Sequence, residues 1–122
     1  MTDKTPLTLA DLRQFTGTET WSRHQFMRHI TYTEGVQFLA ERAGAYWLLD
    51  DIIFGQSTVA ELKSEPFQVW KLTVREDHTA TLACEDGNGR IVVSKDLTFT
   101  DFPLPELTLF FTDNVLLLPS EY

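Results

Sequence analysis

Residues 33–54 read TEGVQFLAERAGAYWLLDDIIF, and this stretch decides the fold. Its first half has the period of an amphipathic helix. Val36, Leu39, Ala40, Ala43 and Trp47 make one apolar stripe, with Gln37, Glu41 and Arg42 opposite. After Gly44 the pattern changes. Ala45 to Leu49 and Ile52 to Phe54 leave only Asp50 and Asp51 polar, so the second half is apolar nearly all round and has to lie inside something. Thr33, or Thr31 with Glu34 as its capping-box partner, starts the helix, and Gly55 suits the position just past its end. The pattern predicts one long helix from Thr33 to Phe54.

Downstream, Gln56 to Glu65 is a polar connection with room for a short turn of helix at Val59 to Lys63. From Phe67 the period switches to two. Trp70, Leu72 and Val74 share one face of a first strand and Ala80, Leu82 and Cys84 one face of a second. Ile91, Val93, Leu97 and Phe99 do so in a third, with Lys95 breaking the row. Arg75 to His78 and Asp86-Gly87-Asn88-Gly89 are turns, the latter carrying an Asn-Gly pair that tolerates positive φ. The prolines of Asp101-Phe102-Pro103-Leu104-Pro105 break the ladder, because proline has no N–H to donate. Leu107, Leu109 and Phe111 open a last hairpin that turns at Asp113-Asn114 and returns as Val115 to Leu118. Short connections imply antiparallel neighbours. The expected fold is α+β: N-terminal helices, then one long central helix packed on a five-stranded antiparallel meander, all within a single domain over residues 1–122.

Leu116-Leu117-Leu118 has no alternation. Such a strand is covered on both faces, or its outer face meets another chain, so a homo-oligomer through the C-terminal hairpin is one expectation. The last residues, Pro119 to Tyr122, are expected to dock on the domain. Towards the N-terminus, Leu7 to Phe15 reads as a short helix capped by Thr8, with Asp11 in its first turn and Gly17 stopping it. A turn is expected over Gly17 to Thr20. The segment Trp21 to Tyr32, WSRHQFMRHITY, fits helical spacing loosely through Trp21, Phe26, Met27 and Ile30, while Ile30-Thr31-Tyr32 suits an extended segment as well; it is read as helix.

With 122 residues, 43% hydrophobic, the chain can close one core without staples. No apolar run reaches the ~18 residues of a membrane span, and the start MTDKTPLTLADLRQF has no signal-peptide core. The lone Cys84 excludes an internal disulfide and reads as a small buried hydrophobe, so the expected location is the cytoplasm. Net charge is −8 and unevenly placed: residues 1–33 carry +1 and the rest −9. Phosphate-binding surfaces need clustered Lys and Arg, so direct nucleic-acid binding is not expected. Acidity can also make a decoy for a nucleic-acid-binding partner, although net charge by itself speaks only of solubility and steering.

The one cationic, aromatic-rich stretch of this acidic chain is Trp21, Arg23, His24, Arg28, His29 and Tyr32, a repeated Arg-His pair flanked by aromatics. Guanidinium and imidazole groups beside aromatic rings suit an anion, a nucleotide or an acidic partner loop. The alternative is a solvated face whose arginines pair with acids elsewhere. The five-residue spacing of the two histidines is not the i, i+4 pair that places both on one helix face for a metal. Asp50 and Asp51 point about 100° apart on a helix, so at most one can be buried, and that one needs a partner such as Arg23 or Arg28. His24, His29, His78 and Cys84 match no zinc pattern, and Gly87-Asn88-Gly89 is followed by strand rather than by a phosphate-binding helix. No metal or cofactor is expected, and no residue is assigned a catalytic role.

The blocks FTGTETWSRH, YTEGVQFLAERAGAYWLLDDI, PFQVWKLTV, DGNG, TDFPL and NVLLLPSEY resemble, nearly end to end, a family of short bacterial proteins known only as a domain of unknown function. The resemblance implies an accessory protein of plasmids, phages and other mobile elements, and it brings no catalytic residue. The leading expectation is therefore a non-catalytic protein that binds another protein, with an acidic inhibitor of a host defence nuclease as one case. The alternative is a small hydrolase-type enzyme using His24 or His29 with Asp50, which a closed pocket around those groups would favour.

Overall fold

The apolar run breaks at Gly44. In a computed structural model that describes residues 7–17 and 20–122, Gly44 takes the left-handed conformation (φ 61°), and the Ala45 N–H reaches back to the Ala40 carbonyl. What the sequence pattern reads as one helix is two, α2 (Glu34–Ala43) and α3 (Tyr46–Thr58). The left-handed residue sits inside the run rather than at Gly55, which lies within α3. The remaining elements are α1 (Leu9–Arg13), β1 (Trp21–Arg23), β2 (Thr31–Thr33), α4 (Ala60–Lys63), β3 (Phe67–Val74), β4 (Ala80–Glu85), β5 (Ile91–Leu97), β6 (Glu106–Thr112) and β7 (Val115–Leu117), closed by a 3₁₀ turn at Pro119–Glu121. The turn expected over Gly17–Thr20 includes residues 18 and 19, outside the described residues.

The protein is α+β, but its sheet has seven strands and is mixed, in the order β1-β2-β7-β6-β3-β4-β5. The five strands after Pro66 are present, but not as the expected meander: β6 pairs with β3 rather than with β5, because the chain crosses back over the sheet through the proline-containing segment 98–105. Two more come from the segment expected to be helical, and β2 runs parallel to β7, with Thr31 opposite Val115 and Tyr32 opposite Leu116. The helical reading of Trp21–Tyr32 fails because Ser22 and the β-branched Thr31 and Thr33 find hydrogen-bonded neighbours, and such residues suit a pleated surface better than a helix. Parallel pairing escaped the short-loop argument because β2 and β7 lie far apart in the chain.

The strand rows fall as the alternation requires. Trp70 and Leu72, Ala80, Leu82 and Cys84, and Leu107, Leu109 and Phe111 are buried on one sheet face, with Val74 half-buried among them. That face is covered by the helices through Val36, Leu39, Leu48, Leu49, Ile52 and Ile53. Trp47, expected in the buried stripe, is only half-buried, because the break at Gly44 resets the helical phase. The β5 row is shorter than expected: the register shifts beside Cys84/Glu85, Ile91 is 59% exposed, and Phe99 lies beyond the strand end. Lys95 breaks the row as read, and its ammonium meets Asp51 of α3 at 3.0 Å.

A polar pair pins α3 to the sheet. Gln68, buried beside Trp70, exchanges hydrogen bonds with Gln56 in both directions (2.8 and 2.9 Å) and accepts the Trp70 indole N–H at 2.9 Å. Every buried polar atom of the pair is thereby satisfied. Leu116, Leu117 and Leu118 are all buried, since β7 lies between β2 and β6 rather than at an edge. The C-terminus does dock: Tyr122 rests on Phe67 and Phe110, on the sheet face opposite the helices, with ring centroids 5.3 and 5.7 Å away. No helix among the described residues is long and apolar enough to cross a membrane.

Candidate functional site: the β1–β2 hairpin and the outer face of α3

β1 and β2 pair antiparallel, Trp21 opposite Thr33 and Arg23 opposite Thr31, and residues 24–30 join them. The joining loop is closed on itself by His24 N–H to the Ile30 carbonyl and Ile30 N–H to the Met27 carbonyl, both 2.9 Å. Its keystone is the imidazole of His24, 6% exposed. Nδ1 accepts the backbone N–H groups of Phe26 (3.2 Å) and Met27 (3.0 Å). That fixes the hydrogen on Nε2, which donates to Asp50 Oδ1 at 2.9 Å. Both ring nitrogens are occupied by the fold.

The six sequence-selected residues therefore do not form one surface. Trp21 (54% exposed) and Arg23 stand on the outermost strand, and the Arg23 guanidinium donates to the Arg28 carbonyl at 2.6 Å. Arg28 is exposed beside them; neither arginine makes an ion pair among the described residues. His29 is exposed too, but it lines a separate hollow with Asp113, Asn114 and Gln56. Tyr32 faces the other way, towards α3. Asp50 meets His24 and Asp51 meets Lys95, so neither aspartate uses Arg23 or Arg28, the partners expected from sequence, and neither is fully buried.

What the sequence reading missed is the outer face of α3. Tyr46, Asp50 and Phe54 are spaced by four, which puts them on one helix face, and all three are exposed. The signal was present, but the apolar density of the segment hid it. Tyr46 and Asp50 of this face, together with Tyr32, Leu49 and Phe26 of the loop, enclose a hollow of about 240 Å³ around Asp50. Phe26, which lines the hollow and is 71% exposed, stands 6.4 Å from Phe54, which lies one turn further along α3 and lines a neighbouring hollow. Burial pushes the Tyr46 phenol up, and the nearby Glu41 carboxylate, which accepts its hydroxyl hydrogen at 3.4 Å, pushes the same way.

Cys84 is buried in β4, and burial, with help from Glu65, Glu85 and Asp86, pushes its thiol up to about 12, so it packs as a small hydrophobe. Among the described residues no three His, Cys, Asp or Glu side chains gather as a metal site.

A seven-stranded mixed sheet with helices packed on it defines a small α+β protein. The chain belongs to a family of unknown function, DUF6876, whose sequence profile matches residues 6–122. No curated protein and no solved structure matches it.

Proposed function

We propose that this is a non-catalytic protein-binding accessory protein, and that it takes an extended, acidic segment of its partner along the free edge of β1. The observation that carries the reading is the position of β1 at the end of the sheet: among the described residues no strand pairs with its outer side, and Trp21 and Arg23 are exposed upon it with Arg28 alongside. An edge strand offers main-chain hydrogen bonds to an added strand, and flanking side chains supply selectivity. Two guanidinium groups there complement carboxylates. Against the hydrolase alternative, the imidazole that meets Asp50 has its lone pair engaged by two N–H donors and its hydrogen by the carboxylate, which leaves no nitrogen to take a proton from a substrate. His29 lines a different hollow from those that Asp50 lines. The accessory role on mobile elements, a cytoplasmic setting and inhibition of a host defence protein belong to this same proposal.

The test is affinity capture from the native host with mass spectrometry, run on the native chain and on a Trp21→Ala/Arg23→Gln/Arg28→Gln variant. These groups are exposed, so the variant should melt within about 0.5 kcal/mol of the native chain per substitution. Loss of a stoichiometric partner from a folded variant supports the reading. A partner retained in full overturns it.

A further inference from the structure

We infer that the hollow between α3 and the β1–β2 loop is a binding site for a guanidinium group, the side chain of an arginine on a protein partner, seated on the Asp50 carboxylate between the rings of Tyr32 and Tyr46. This site is separate from the β1 edge and stands whether or not that edge pairs.

Four observations lead to it. The Asp50 carboxylate is held from behind: Oδ1 accepts from His24, whose own orientation is fixed by two backbone N–H groups, while Oδ2 has no partner among the described residues. A preorganised carboxylate loses little freedom on binding. The partner that holds it is an imidazole with an unprotonated Nδ1, not a permanent cation, so the carboxylate charge is left to be met from outside. The walls are aromatic, from Tyr32, Tyr46 and Phe26, and ring faces attract cations. Beyond Tyr46 stands a second carboxylate, Glu41, so an anion would be repelled from the same hollow. Phe26, 71% exposed in the lining of the hollow, leaves apolar surface for the aliphatic stem of such a side chain.

Guanidinium fits better than ammonium. It is planar and weakly hydrated, it stacks on tyrosine, and it can present two N–H groups towards a carboxylate, whereas an ammonium keeps its water. A net charge of −8 raises the local concentration of any such cation.

The experiment is a titration of the ¹⁵N-labelled full chain, followed by amide shifts, with three capped amino-acid amides: Nα-acetyl-arginine amide, the lysine analogue, and the citrulline analogue, which keeps the shape and removes the charge. The expected result is saturable shifts at residues 24–26, 46 and 50 with arginine, at least several-fold weaker binding of lysine, and none of citrulline. In Asp50→Asn the amide oxygen can still accept from His24, while the outward oxygen becomes an N–H donor. Arginine affinity should therefore fall at least tenfold with the spectrum otherwise intact. Tyr46→Leu, at an exposed site, should weaken it several-fold and serves if Asp50→Asn fails to fold. Equal binding of citrulline, preference for lysine, or undiminished binding by either folded variant overturns the proposal. A short peptide carrying one arginine separates the sources. Tighter binding than the capped amino acid supports a protein side chain, and no gain overturns that part of the assignment in favour of a free guanidino compound.

Discussion

His24 holds together more structure than any other polar side chain in the candidate region. It is buried, and its two nitrogens satisfy Phe26 N–H, Met27 N–H and one oxygen of Asp50. Truncating it would strand two backbone donors in a closed loop, and a buried group left without its partner costs about 1–3 kcal/mol. We expect His24→Ala to lose about 2–3 kcal/mol in urea melts, whereas Arg23→Gln, at an exposed site, stays within about 0.5 kcal/mol. Equal small losses for both would mean that the loop does not depend on the imidazole. The Arg-His repeat stands out in the sequence because of its composition, and composition cannot distinguish a histidine that faces solvent from one that buttons a loop. The sequence offered His24 or His29 with Asp50 only as an alternative reading; the fold brings His24 to Asp50 and sets two backbone N–H groups on its Nδ1, and backbone direction is not written in side-chain pattern.

At the scale of elements, two glycines of the same region separate strain from crowding. Gly44 has φ 61° and nothing within 4 Å of where a Cβ would stand, so Gly44→Ala carries the left-handed backbone cost alone, about 1–2 kcal/mol. Gly35, in the first turn of α2, has no such conformational demand. A Cβ there would lie 2.7 Å from Leu118 Cδ1 and 2.8 Å from Glu121 Oε2, the carboxylate that accepts Gly35 N–H at 3.2 Å and the Thr33 hydroxyl at 2.6 Å. Gly35→Ala should therefore cost about 1–3 kcal/mol by overpacking, and it should displace the C-terminal turn from the α2 N-terminus. Thermal melts give both losses, and amide shifts at residues 118–122 should move for Gly35→Ala but not for Gly44→Ala. Identical shift patterns would dissolve the distinction. The strands after Pro66 were legible because half-buried strands alternate, and Asp113-Asn114 because its two residues must take positive φ, as they do at 53° and 62°. The α2–α3 break was signalled by Gly44 and by the change of pattern beyond it, yet helical period persists through both halves and argued for continuity. β1 and β2 have three residues each, too short for any period to register.

At the scale of the molecule, strand order was the least legible feature, because it depends on contacts between distant segments. The run Leu116–Leu118 was ambiguous for that reason. Apolar on both faces, it fitted either a strand covered on both sides or a contact between copies. The pairing of β2 with β7 places it inside the sheet, where Leu116 is 0% and Leu118 2% exposed, so these side chains offer nothing to a second copy. Two consequences can be measured together. Leu116→Ala and Leu118→Ala should each lose about 2–5 kcal/mol, the range for truncating a fully buried leucine. The melting temperature of the native chain should also not change with protein concentration, since a folded state stabilised by assembly gains stability by mass action and a monomer does not. A midpoint that climbs with concentration, together with losses below about 1 kcal/mol for both variants, would mean that the hairpin joins copies and that the run is not core. Large losses with a fixed midpoint are the expected result, because β7 is bordered on both sides by strands of its own chain.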